Sequence, residues 1–144
     1  MSENTRIDFY ILAAKDPASR LHFACRLTEK AYALQHEVYA HAETPEEARQ
    51  LDDMLWTFRQ GSFVPHTLID DGDQRAPVRI GTPEQAQTEG ELLINLTAAA
   101  PDFAANFSRV AEIVDNTEAA KKAGRERFRQ YRSMGFDPVT HNID

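Results

Sequence analysis

What this 144-residue sequence lacks narrows its chemistry before any motif is sought. It has one cysteine, Cys25, so it can form no internal disulfide and build no cysteine-rich zinc cluster. No apolar run approaches the ~20 residues needed to span a membrane. Met1 to Asp8 carries no apolar core of a signal peptide, so the expected address is the cytoplasm. Glycine is scarce, and neither GxGxxG nor GxxxxGK[ST] occurs. Cationic surplus is missing as well: 16 Lys and Arg stand against 23 Asp and Glu, for a net charge of −7. Such a surface repels phosphate, which argues against a protein that grips DNA along a whole face.

What remains reads as one domain over residues 1–144, with 136–144 a tail of no strong pattern. Ile7 to Ala13 is β-branched, aromatic and almost continuously apolar, as suits a central strand covered on both faces. Asp16-Pro17 opens a helix, and Leu21, Ala24, Cys25, Thr28 and Ala31 recur at helical spacing as far as Leu34. Cys25 on that stripe reads as a packed thiol. Glu37 to Ala42 alternates as a second strand, completing a right-handed parallel βαβ unit. Thr44-Pro45-Glu46-Glu47 starts the next helix, with Thr44 as N-cap and Glu47 closing a capping box. Strands are expected at His66–Ile69, Val78–Gly81, Glu91–Leu96 and Arg109–Asp115, the last of these closing the sheet. Pro101 to Ser108 reads as a short helix burying Phe103 and Phe107. A final helix, capped by Thr117, runs from Glu118 to about Met134, where Gly135 offers the left-handed conformation that ends many helices.

An α/β pattern raises the question of nucleotides, but Ala13-Ala14-Lys15-Asp16-Pro17 after the first strand contains no glycine. A phosphate cradle needs backbone amides that approach the anion closely. The five histidines are scattered, and a structural or solvated role suits His41 better than a metal ligand. Asp70, Asp71 and Asp73 around Gly72 lack the alternation and the closing glutamate of a calcium loop. No GxSxG or other catalytic constellation is present. No catalytic residue, metal ligand or cofactor is therefore assigned.

Two stretches are adhesive instead. Leu55 to His66 gathers Trp56, the only tryptophan, with Phe58 and Phe63, broken by Gly61 and closed by Pro65. Trp56 suits a core plug or a contact surface equally, whereas Phe63, before Val64 and Pro65 on a tight connection, reads as an exposed anchor. The second stretch is the last helix, where six of the sixteen Lys and Arg residues fall between Lys121 and Arg132. Lys121, Arg125, Arg129 and Arg132 share one face, with Phe128, Tyr131 and Phe136 as an apolar floor. Guanidinium forks beside an apolar floor suit a short acidic peptide ending in an apolar residue and a free carboxylate. Single-stranded nucleic acid also fits such a patch; the net negative charge favours the peptide.

Three segments carry a resemblance: Asp8-Phe9-Tyr10-Ile11-Leu12, Leu51 to His66 with its LW and FVPH, and Arg125 to Phe136 with RERF, YR and GF. Together with Pro77-Val78 and Leu92 to Leu96 they resemble the chi subunit of the bacterial DNA polymerase III holoenzyme over nearly the whole chain. The resemblance implies a non-catalytic accessory protein of the clamp-loader assembly. It implies a three-layer Rossmann-like α/β domain, with a mostly parallel, mixed central sheet flanked by helices. It further implies that Trp56, Phe63, Val64, Pro65 and His66 hold the psi subunit. The acidic C-terminal tail of single-stranded DNA-binding protein (SSB) is expected on Lys121, Arg125, Phe128, Arg129, Tyr131 and Arg132. Phe128 stands where the family often has tyrosine. Some members also pair with a helicase through the psi surface; DNA is reached only indirectly, and no membrane is involved. The alternatives from other classes are a direct single-strand binder using the last helix and a nucleotide-binding enzyme of Rossmann-like shape.

Overall fold

The structure is a computed structural model that describes residues 5–61, 63–69 and 76–143. The calcium-loop question at Asp70–Asp73 therefore falls outside the described residues. Among the described residues, seven strands form one sheet: β1 (Arg6–Leu12), β2 (Val38–His41), β3 (His66–Leu68), β4 (Val78–Gly81), β5 (Gly90–Asn95), β6 (Phe107–Val114) and β7 (Val139–Ile143). Their spatial order is β3-β4-β2-β5-β6-β1-β7. Every strand pairing is parallel, so the expected mixed sheet is corrected. The one antiparallel contact among the described residues is the isolated bridge Thr82–Gln85.

Parallel strands need crossovers, and helices form those from β1 to β2, from β2 to β3 and from β6 to β7: α1 (Ala18–Ala33), α2 (Pro45–Thr57) and α3 (Glu118–Ser133). The alternation of side chains along β1 decides which face each helix covers. Leu12 and Tyr10 join Leu21, Ala24 and Cys25 of α1 and Leu51 and Leu55 of α2 in one apolar layer. Ile7 and Phe9 point the other way and meet Tyr131 and Phe128 of α3. Two apolar layers thus sandwich the sheet. Arg20 of α1 and Glu47 of α2 join the two helices that share a face, at 2.7 Å.

The helix starts follow their side chains. Asp16 Oδ1 accepts from Ala18 N–H at 2.9 Å, Thr44 Oγ1 from Glu47 N–H at 3.1 Å, and Thr117 Oγ1 from Ala120 N–H at 3.2 Å. The Glu47 carboxylate reaches back to the N–H of Glu43 at 2.9 Å, one residue before the cap. At the other end of α3, Gly135 holds φ +97°, the left-handed geometry expected of it. Cys25 is buried, and burial pushes its thiol up to about 12, in keeping with a packing role.

Two expectations are corrected. Pro101–Ser108 holds only a 3-10 turn at Ala104–Asn106, because Phe107 already pairs with Gly90 in the sheet. The turn and the strand start bring Phe103 and Phe107 within 6.1 Å, so the side chains meet without a helix. The tail is likewise not patternless: Val139–Ile143 pairs with β1 as the true last strand. An edge strand is held by backbone bonds from one side and needs no apolar alternation.

Candidate functional site

The first patch is built where α2 runs out. Leu55 turns into the core, which leaves its neighbour Trp56 pointing outward and 52% exposed. Gly61, at φ +82°, reverses the chain so that Phe63 comes back beside Trp56, 65% exposed, with ring centroids 5.8 Å apart. Trp56 also leans on the ring of His66 at 4.6 Å. His66 staples this loop to α2: its Nδ1 lies 2.6 Å from the Val64 carbonyl and its Nε2 3.1 Å from that of Asp52. Val64 is buried and Pro65 half-buried. Of the five residues expected here, Trp56 and Phe63 form the outer face. Val64, Pro65 and His66 support it from beneath.

The second patch depends on a buried ionic network. Glu112, in the middle of β6, is 0% exposed. Its carboxylate accepts from Arg127 Nε at 2.7 Å, Tyr131 Oη at 2.6 Å and Asn95 Nδ2 at 2.7 Å. Burial pushes the Glu112 carboxyl up, against the opposing pull of the Arg127 charge and of the three donors. Burial and the neighbouring carboxylate likewise push the Tyr131 hydroxyl well above its ordinary range. Tyr131 is thus an inward anchor, and its place on the surface floor is corrected, as is that of the buried Phe136. Arg127, read from sequence as part of the cationic run, is likewise turned inward.

With Arg127 and Tyr131 holding α3 down, the adjacent helix face overhangs a groove of about 330 Å³. Phe9 and Ile11 of β1 and Val114 of β6 form its floor, and Gly124, Arg125, Phe128 and Arg129 of α3 its wall. Gly124 is needed for this close approach: a Cβ there would sit 2.9 Å from Val114 Cγ2. Phe128 packs on Phe9 at 5.3 Å. Among the described residues, Lys121 and Arg129 make only one-turn ion pairs on their own helix, to Glu118 at 3.2 Å and to Glu126 at 2.5 Å. Arg125 has no ion-pair partner among the described residues, and Arg132 is exposed beyond the groove. Sequence reasoning missed Phe9, Ile11 and Val114. Their shared parity on neighbouring strands was the available signal.

A second charged cluster lies on the opposite sheet face. Asp8, buried on β1, receives Arg6 at 3.0 Å, Arg109 at 3.1 Å and His141 at 2.8 Å. Burial alone would raise the Asp8 carboxyl, but hydrogen bonds from His141, Arg6 and Arg109 outweigh it and hold it below the ordinary range. Where a nucleotide would bind, after β1, the first free amide of α1 is taken by Asp16, a carboxylate facing the place of a phosphate. No group of three metal-ligating side chains occurs among the described residues, nor any helix long and apolar enough to cross a membrane.

The family model for DNA polymerase III chi subunit, HolC, matches residues 4–139. The chain belongs to this family. A Pseudomonas aeruginosa protein named DNA polymerase III subunit chi is 44% identical, over 96% of this chain and 97% of its own length. Proteins of the same name from Haemophilus influenzae and Escherichia coli are 30% and 32% identical, over 94% and 78% of this chain and 95% and 78% of their own lengths. This chi-family chain is accordingly an accessory protein of DNA replication. Among solved structures, T4 UvsW superposes with a TM-score of 0.68 at 8% identity, covering 97% of this chain. Saccharomyces cerevisiae Dbp5 bound to RNA and ADP BeF3 superposes at 0.63 with 14% identity, covering 96%. This chain spans 42% of each, and the likeness at such identity concerns the Rossmann-like fold alone.

Proposed function

We propose that this chi-family chain is a non-catalytic adaptor that joins the clamp loader to SSB-coated single strands. The psi subunit docks on the Trp56–Phe63 face, and the acidic SSB tail docks in the groove under α3. The observation that carries the reading is the groove itself: an apolar floor of Phe9, Ile11 and Val114, rimmed by Lys121, Arg125 and Arg129. An apolar terminal side chain fills the floor while its carboxylate and preceding acids meet the rim. The exposed aromatic pair supports the other half, since two large rings held in water mark a contact surface. The test is a titration of labelled SSB C-terminal peptide. A charge-assisted hydrogen bond contributes ~1.5–3 kcal/mol, so Arg125→Ala weakens binding about tenfold or more, and added salt weakens it further. Unchanged affinity in the Arg125→Ala/Arg129→Ala double variant refutes the assignment. A gel shift with naked oligonucleotide at moderate salt would reveal a direct single-strand binder instead.

A further inference from the structure

The groove under α3 runs out to an open sheet edge. Thr140 of β7 is one of its lining residues and lies beside Phe9 in the sheet register. Among the described residues, β7 is bonded to β1 on one side and to no strand on the other. The direction of its backbone groups follows from one bond: Ala13 N–H donates to the Ile143 carbonyl at 3.0 Å, so Ile143 faces β1. Successive residues of a strand point their N–H and C=O to opposite sides. Val139, His141 and Ile143 therefore face β1, while Thr140 and Asn142 present theirs outward. No hydrogen bond among the described residues reaches those outward groups. Nor is this edge defended: Val139 to Ile143 contains no Lys, Arg, Asp, Glu or Pro, the residues that discourage strand addition.

We infer that the acidic peptide binds as an eighth strand along β7. Its backbone pairs with Thr140 and Asn142, and alternate side chains enter the groove beneath Arg125 and Arg129. Strand spacing of ~4.8 Å sets a side chain of such a strand next to Thr140, whose short side chain leaves the way to Phe9 open. The opposite alternation leaves the peptide's remaining side chains on the face of His141. Backbone pairing gives affinity independent of peptide sequence, and the groove and its cations give specificity for an acidic, apolar-ended segment. This inference rests on the peptide-binding reading above.

The test is residue-resolved hydrogen exchange on the wild-type protein, free and saturated with SSB C-terminal peptide, together with two proline variants. The amides of Thr140 and Asn142 exchange fast in the free protein and at least about tenfold slower in the complex, whereas those of His141 and Ile143 are protected in both. Proline is tolerated at an edge position whose N–H faces solvent, so Thr140→Pro and Asn142→Pro fold. Each binds the peptide about tenfold more weakly. Fast exchange at Thr140 and Asn142 in a saturated, Arg125-dependent complex overturns strand addition and leaves the adaptor reading standing. A wild-type protein that binds no peptide overturns both. Should a proline variant misfold, the exchange pattern of the wild type decides alone.

Discussion

Arg127→Ala removes the only cation among the described residues that touches Glu112, a carboxylate wholly withdrawn from water. In the wild type, Glu112 accepts from Arg127, Tyr131 and Asn95, all within 2.7 Å. The variant leaves two neutral donors and no counter-charge at a group 0% exposed. Breaking a buried pair by deleting one partner costs ~3–5 kcal/mol, because the remaining charge stays buried. With a urea slope of ~2 kcal/mol/M, a loss of about 4 kcal/mol moves the unfolding midpoint down by about 2 M. The sign of the pH dependence follows from Glu112. Its carboxyl is already raised by burial, and loss of the Arg127 charge raises it further. A group raised in the folded state favours folding below its unfolded value, and that contribution is lost as pH rises through the folded one. The deficit of Arg127→Ala against wild type is therefore full at neutral pH and narrows as the solution is acidified. Adding Glu112→Gln recovers part of the loss at neutral pH, since a neutral amide costs less to bury. Urea titrations of the wild type and both variants at two pH values measure all of this. A midpoint within about 0.3 M of wild type, or a deficit that grows in acid, would refute the reasoning.

Two further outcomes follow from the geometry. Asp8→Asn removes the acceptor charge shared by Arg6, Arg109 and His141, at a cost of about 1.5–3 kcal/mol near neutrality. Because the Asp8 carboxyl is held low, its contribution is present above the unfolded value and lost as pH falls through the folded one, so denaturant midpoints of variant and wild type converge in strong acid. Phe63→Ala leaves the melting curve within about 0.5 kcal/mol of wild type, as expected for a side chain 65% exposed. Its capture of psi in a pull-down drops by ~2–4 kcal/mol worth of affinity, while SSB-peptide binding is kept.

The parts of the fold written in local chemistry were legible before the structure. The apolar run of β1, the capped start of α2 and the Gly135 stop of α3 each depend on residues adjacent in sequence. β7 was not legible, because Val139 to Ile143 owes its conformation to β1, more than a hundred residues away. Tyr131 was misplaced for a related reason: helical spacing sets it beside Phe128, and only Glu112 on β6 draws its hydroxyl inward. An acid flanked by Val110, Ala111, Ile113 and Val114 was the trace that network left in the sequence. The cationic rim was readable from α3 alone, but its floor belongs to other strands.

The two patches sit toward opposite ends of the sheet, with His66 on β3 and the groove floor on β1 and β6. Five inter-strand steps of ~4.8 Å separate β3 from β1, roughly 25 Å. Sites that far apart with no shared residue act independently to within ~0.5 kcal/mol. The measurement that bears most directly on the adaptor is therefore the affinity of the SSB peptide for this protein with and without saturating psi. Affinities that agree within about twofold, on a protein still bound to psi, are the expected result. Displacement of the peptide as psi is added would contradict the account.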